Sequence, residues 1–373
     1  MAVYDRRSVK NLQELPDAYF KGLSFLLNEE PDKALKVFLE VVEVDKETVE
    51  MHMALGNLFR RRGEVERATL IHQNLVARSD LDGGLRCLAL FELAQDYFKA
   101  GLYDRAENLF LELRQSDDYR NQANKFLLQI YDQEKEWKKA ISVAEGITGT
   151  DGDEYARTIA HFYCELAELE ISAGNNTAAE AYLESAFRKD AKCIRAVIQS
   201  GRLASMRGNH TNAIAIWRGL EFWAPAALGE VVGHISNSYL ELNDRRSLKK
   251  FLQSSIEINP DPRIIGMLVD LTGREKGGVE GDRLLLSLVQ KYPSLENLYQ
   301  LVNSKTKTSS VEEKDNDYTL LAGLLSGLVE SGRQYNCRQC GFQSNALHWQ
   351  CPGCKGWGTV QRQPGTRLSV SAN

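Results

Sequence analysis

Small residues recur along this chain at an interval that leaves little choice of architecture. Ala34, Ala68, Ala106, Ala140, Ala179 and Ala213 follow one another at spacings of 34, 38, 34, 39 and 34 residues. Twelve positions ahead of five of them stands another small residue (Gly22, Gly56, Ala94, Ala167 or Gly201), and Gly63, Gly101, Gly174 and Gly208 lie in between. Phe38, Phe110, Leu183 and Trp217 follow four positions after their alanines, and Pro225, Pro260 and Pro293 close later units. Apolar residues at helical spacing on both sides of each glycine describe two amphipathic helices joined by a short turn. The small residues let the helices approach where they cross. Glycine supplies the turn, and proline ends the second helix because it cannot extend the hydrogen-bond ladder. One such hairpin cannot cover its own apolar faces, whereas a stack of them can.

This is the tetratricopeptide pattern, and it predicts an all-α, right-handed superhelix of about eight to nine hairpins. Leu248 and Gly281 take the alanine position of two further units, and helical stretches follow at 295–303 and 318–330. The polar run 304–317 reads as a loop, and the longer spacings imply insertions near 78–84 and 146–153. Residues 273–281 are glycine-rich without a preceding strand or a G-K-[ST] ending, so they read as a loop between helices rather than a phosphate loop. The expected domains are a linker at 1–14, the repeats at 15–330, a small module at 331–362 and a tail at 363–373.

The module is defined by cysteine. Cys87, Cys164 and Cys193 are scattered, whereas Cys337, Cys340, Cys351 and Cys354 form C-x2-C-x10-C-x2-C. That distribution does not resemble a secreted disulfide framework and fits a reducing compartment with one metal site. Two residues between cysteines bend the chain into a knuckle that aims both sulfurs at one ion. Gly341 and Gly356 suit the left-handed backbone that knuckles need. Four sulfurs make a closed tetrahedral site for one zinc ion, with iron as the rubredoxin-like alternative. Phe342, Leu347, Trp349, Trp357 and Val360 are expected to pack around the sulfurs or on the last repeats, and His348 reads as a loop residue rather than a ligand.

Charge separates the two regions: residues 331–373 carry a formal +5 within a chain of net −5, which leaves −10 on the repeats. The acidic balance argues against a general nucleic-acid binder. No apolar run reaches the length of a membrane span, and the first ten residues lack a signal-peptide core, so the chain as written reads as soluble. None of the common catalytic motifs is present, and a closed metal site has no position for substrate, so the protein reads as non-enzymatic. His161 and Cys164, three apart on one helix face, read as packing and groove-lining residues before a nucleophile pair. In a stack of this type the first helix of each hairpin lines the inner face. By register that face carries Tyr19, Leu23, Met53, Asn57, Arg60, Phe91 and Gln95, and further on Gln129, His161, Glu168, Arg202 and Asn237, with Arg61 beside Arg60. Amides, arginines and aromatics of this kind suit a protein-binding groove.

Tetratricopeptide hairpins followed by a four-cysteine module are an uncommon pairing, and the chain resembles the lipopolysaccharide assembly protein B family over nearly its whole length. The resemblance is carried by Gly56-Asn-Leu-Phe-Arg-Arg-Arg-Gly-Glu-Val-Glu-Arg-Ala, Ala100-Gly-Leu-Tyr-Asp-Arg-Ala-Glu, Ala160-His-Phe-Tyr-Cys-Glu-Leu-Ala and the segment from Cys337 to Cys354. It implies a non-enzymatic adaptor at the cytoplasmic face of the inner membrane, which presents the lipid A pathway deacetylase to the membrane protease FtsH. Other lipopolysaccharide assembly proteins and a second copy of the chain stay open as further partners. Family members open with a transmembrane helix, while this chain opens with Met1-Ala2-Val3-Tyr4-Asp5-Arg6-Arg7-Ser8, similar to the basic stretch that follows such a helix. The expectation is a chain lacking its anchor, with a natural soluble paralogue as the alternative. Two other functions stay open at this point: electron transfer through an iron site, and general co-chaperone activity.

Overall fold

The computed structural model of the chain describes residues 20–22, 24–25, 30–40, 46–79, 81–147, 152–308 and 316–363. Tyr19, Leu23, the side chain of Phe38, the 1–14 linker and residues 364–373 of the tail lie outside them. The chain forms two compact units, Met1–Gly152 and Asp153–Asn373. Among the described residues no helix is long and apolar enough to cross a membrane.

The first unit contains α1 (Pro31–Glu40), α2 (Lys46–Arg61), α3 (Val65–Val76), α4 (Gly83–Lys99), α5 (Tyr103–Leu113), α6 (Arg120–Glu134) and α7 (Trp137–Glu145). The second contains α8 (Gly152–Ser172), α9 (Asn176–Lys189), α10 (Ile194–Met206), α11 (His210–Arg218), the single turn α12 (Leu220–Trp223), α13 (Leu228–Glu241), α14 (Arg245–Ile258), α15 (Pro262–Lys276), α16 (Gly278–Lys291), α17 (Leu295–Thr308) and α18 (Asn316–Ser331). Three short strands follow, β1 (Tyr335–Cys337), β2 (Gln343–Ser344) and β3 (Val360–Arg362), in the antiparallel order β2-β1-β3.

The alanine register is the hairpin core: all six alanines have zero exposure. The turn glycines Gly63, Gly101, Gly174 and Gly208 adopt φ between 75° and 84°, the left-handed backbone that permits a two-residue reversal. Where the repeat lacks glycine, Lys135 (φ 60°) and Asn243 (φ 55°) take the same conformation. Close crossing explains Gly201, where an added Cβ would stand 2.3 Å from the Trp217 indole, itself fully buried. The glycine-rich 273–281 stretch differs from expectation. It contracts to one linking residue, Gly277 (φ 96°), with Gly273 and Gly281 inside α15 and α16. A Cβ on Gly281 would lie 3.3 Å from the Cα of Gly273, so these glycines serve a close helix crossing, not a loop. The 304–317 loop is shorter too, because helix persists through Thr308 and resumes at Asn316.

Candidate metal centre and its seat on the repeats

Each knuckle is a tight turn closed by a backbone hydrogen bond, from Gly341 N–H to the Cys337 carbonyl and from Lys355 N–H to the Cys351 carbonyl, both 2.9 Å. The left-handed residue is thus the fourth after the first cysteine: Gly341 (φ 76°) in one knuckle and Lys355 (φ 59°) in the other. Gly356, expected in that role, is instead required for space, since a Cβ there would lie 2.4 Å from Gln339 Oε1 and 3.0 Å from Thr359 Cγ2.

The sulfurs of Cys337, Cys340, Cys351 and Cys354 all lie within 4.8 Å of one another. Cross-knuckle distances are 3.7 Å for Cys337–Cys354 and 3.6 Å for Cys340–Cys351. Four sulfurs about 2.3 Å from a tetrahedral cation stand about 3.8 Å apart, close to the cross-knuckle distances, so the donor set and its spacing fit a tetrahedral metal. Burial opposes ionisation of Cys337, but the Thr359 hydroxyl at 3.2 Å and the backbone N–H groups of Cys340 and Gln339 outweigh it and bring the thiol down to about 6. His348 is not a ligand: its Nε2 lies 3.0 Å from Ser344 Oγ, and its ring meets Phe342 edge-on. Phe342 and Leu347 pack against the buried cluster of Tyr335, Cys337, Cys351 and Val360.

Trp349 and Trp357 leave that cluster for the repeats, though not for the last ones. The Trp357 indole stacks on His161 of α8 with centroids 5.4 Å apart, and Trp349 lies 6.1 Å from the same ring. The Arg195 guanidinium of α10 sits 5.9 Å from the Trp349 ring and 6.0 Å from Trp357, and donates to Glu165 at 2.7 Å. On the other flank Tyr335 donates its hydroxyl proton to Glu230 of α13 (2.9 Å), and Arg362 stands 3.7 Å from Asp261, the N-cap of α15. Arg263 ties Glu230 to Asp261, both at 2.9 Å. Gly229 leaves room for this network, because a Cβ there would lie 2.1 Å from the Arg263 guanidinium. Although burial raises it, the Asp261 carboxyl is held below the usual carboxylate range by Arg263 and Arg362. The module thus rests on the first helices of four successive hairpins. Its charge asymmetry pointed to an acidic contact, and Arg362 makes one at a helix N-terminus. Neither Arg195 nor Glu230 stood out in the sequence, since a single charge on an amphipathic helix looks solvent-facing until a partner covers it.

The remaining groove residues divide between the two units. In the first, Arg60 donates to Asn57 (2.5 Å), Glu92 (2.5 Å) and Asp96 (2.8 Å), and Gln95 donates to Glu92 (3.3 Å), so two expected groove residues converge on the Glu92 carboxylate and a third, Asn57, accepts from Arg60. Asp96 also meets His72 Nδ1 at 2.5 Å, and both side chains are fully buried, a pairing the register did not expose. Arg61 and Gln129 are exposed, while Phe91 packs among Phe110, Tyr119 and Phe126. In the second unit Arg202 pairs with Glu168 at 2.5 Å, and Asn237 lines a cleft of 420 Å³ with His234, Arg263 and Met267. His161 lies beneath the module. Cys164 faces Cys193, sulfur to sulfur at 3.9 Å, and sharing a proton with that thiol and burial push it well up, which removes it as a nucleophile.

Fold and site together define a tetratricopeptide-repeat protein carrying a four-cysteine metal module. Residues 335–362 match the family of rubredoxin metal-binding domains, and residues 21–80 and 91–154 match tetratricopeptide repeats. Lipopolysaccharide assembly protein B of Escherichia coli K12 is 33% identical over 343 residues, covering 92% of this chain and 88% of the relative. The protein of the same name from Haemophilus influenzae is 29% identical, covering 95% and 93%. The chain belongs to the lipopolysaccharide assembly protein B family.

Proposed function

We propose that the protein acts in lipopolysaccharide assembly without covalent chemistry of its own, as an adaptor that binds the lipid A pathway deacetylase and delivers it to the membrane protease FtsH. It works at the cytoplasmic face of the inner membrane, with zinc in the four-sulfur site. The observation that carries this reading is the seat of the module. All four sulfurs converge on one point, so a bound cation has no coordination position left for a substrate, and the module's aromatic residues are spent on packing against repeats. Arg61, Gln129 and Asn237, expected on the inner face, are exposed along first helices, which supports their use in binding a partner. The names of the relatives supply the pathway.

The test is a purified degradation assay. FtsH in detergent micelles receives the deacetylase with and without this chain, and the half-life of the deacetylase is followed. The expected result is faster loss with the chain, weakened when Gln129 and Asn237 are both replaced by alanine. An unchanged half-life, together with no capture of the deacetylase by the chain, overturns the adaptor reading.

A further inference from the structure

The terminal helix of a repeat stack normally turns a polar face outward, because no further repeat follows to cover it. The last helix here does not. From Tyr318 to Val329 α18 carries no charged residue. One side packs on α17, with Leu325 buried, while Leu320, Leu321, Leu324 and Leu328 are 66%, 44%, 60% and 55% exposed. Leu320, Leu324 and Leu328 recur every fourth residue and so form one stripe along the helix. Gly323 and Gly327 flank that stripe, and a Cβ at either would meet nothing within 4 Å. The face has the form of one more repeat interface with its other half missing.

We propose that this face is closed by the α18 of a second copy of the chain, giving a two-fold dimer joined through the last hairpins. Three observations favour that occupant. The surface is self-complementary, since leucine ridges stand beside glycine notches and a two-fold axis places the ridge of one copy against the notch of the other. The four leucines and Tyr318 expose on the order of 500 Å² per copy, or roughly 1,000 Å² for a pair, which reaches the lower bound of a specific interface. Asp317 and Glu330 bracket the stripe and leave the span between them uncharged, so the face itself presents no like charges to a second copy. A lipid surface fits less well, because α18 itself has no basic residue in its last turn to meet anionic headgroups.

An area at the lower bound implies micromolar self-association, so the experiment is sedimentation equilibrium of the whole 373-residue chain across a range centred on about 10 µM. A monomer–dimer equilibrium is expected, with the dimer dissociation constant raised at least 100-fold by Leu324→Glu. Leu324 is solvent-exposed in the single chain, so this variant should keep its helical circular dichroism. Gly327→Ile, which fills the notch without adding charge, should weaken the dimer about tenfold and guards against an effect of the glutamate alone. A chain that stays monomeric over the whole range overturns the proposal, as does a dimer that both variants leave intact. A monomer that instead sediments with vesicles of phosphatidylethanolamine and phosphatidylglycerol, and loses them on Leu324→Glu, would assign the face to lipid and equally overturn it.

Discussion

The imidazole of His161 lies almost flat on the indole of Trp357, with ring centroids 5.4 Å apart and planes 28° from parallel. His161 is 6% exposed, and Gly358 passes so close that a Cβ there would stand 2.7 Å from its Nε2. This one contact joins a residue of the repeats to the residue three beyond the last metal ligand, and the first predictions test it.

Trp357→Ala removes the stack and one of two rings over Arg195. The expected loss is about 3 kcal/mol of docking energy, in the range for truncating a packed aromatic. Limited proteolysis should then cut between α18 and β1 while the helical signal of the repeats persists. Resistance equal to the parent would show that Trp349 alone holds the module.

Gly358→Ala reaches the same contact through the backbone. Gly358 has φ 64°, which disfavours a side chain by about 1 kcal/mol, and the added methyl overlaps the His161 ring. Undocking is expected with the metal still bound. Metal content and proteolysis measured on one sample separate the two effects, and retention of both metal and docking would mean that the seat has more slack than its contacts indicate.

Docking should also depend on pH, with a fixed sign. Burial, followed by the charge of Arg195, lowers His161 from an ordinary 6.5 to about 3. Above pH 6.5 the ring is neutral whether docked or not, and docking is at full strength. Between 6.5 and 3 the released state takes up the proton and the docked state does not, so docking weakens by about 1.4 kcal/mol per pH unit. Titration from pH 7 to 5, followed by tryptophan fluorescence with metal content checked at each point, should show the parent loosening and His161→Phe flat. Identical curves would mean the ring is not the titrating group.

The polar flank predicts a different response. Arg263→Ala leaves Asp261, 5% exposed, with only the distant Arg362 for a charge partner, and Glu230 loses its guanidinium as well. A loss of about 3 kcal/mol in unfolding free energy is expected, because an abandoned buried carboxylate costs more than the pair contributed. Tyr335→Phe, which deletes only the hydroxyl donor to Glu230, should cost about 1 kcal/mol. Chemical denaturation of both variants checks the ratio, and equal effects would count against a buried-charge origin.

Metal removal is the broadest test. Cys337→Ser or Cys351→Ser should release one metal per chain and alter Trp349 and Trp357 fluorescence, leaving far-ultraviolet circular dichroism near its parent value. Stoichiometric metal in both variants would rule out four-sulfur ligation. Absorbance distinguishes zinc, which is colourless, from iron.

The hairpins were legible because their determinants are local: a small residue at a crossing, a glycine at a turn, a proline at an end. Six of six alanines are buried for that reason. The left-handed turns at Lys135 and Asn243 were not, because tertiary packing imposes the conformation on residues that merely tolerate it. The same holds for Lys355, which takes the position expected of Gly356. The cysteine spacing announced the metal site, since ligands two apart have little other use, but it could not say where the module would sit. Trp349 and Trp357 advertised a need for burial. Their partners His161 and Arg195 lie more than 150 positions earlier in sequence, and ordinary amphipathic periodicity hides them. Arg60 shows what register leaves out. It stands on a first helix as the spacing places it, and its hydrogen bonds to Asn57, Glu92 and Asp96 make it part of a half-buried network that no periodicity announces.

A stack of hairpins in which each touches only its neighbours behaves as a spring: it bends at every joint and unfolds one coil at a time. The module changes that mechanics by resting on α8, α10, α13 and α15 together through His161, Arg195, Glu230 and Asp261. It is a brace across four coils, and it links hairpins that would otherwise be independent. The second unit should therefore hold one curvature and melt in a single cooperative step for as long as the four sulfurs keep the brace folded. The cation would then set the stiffness of the groove without touching anything bound in it.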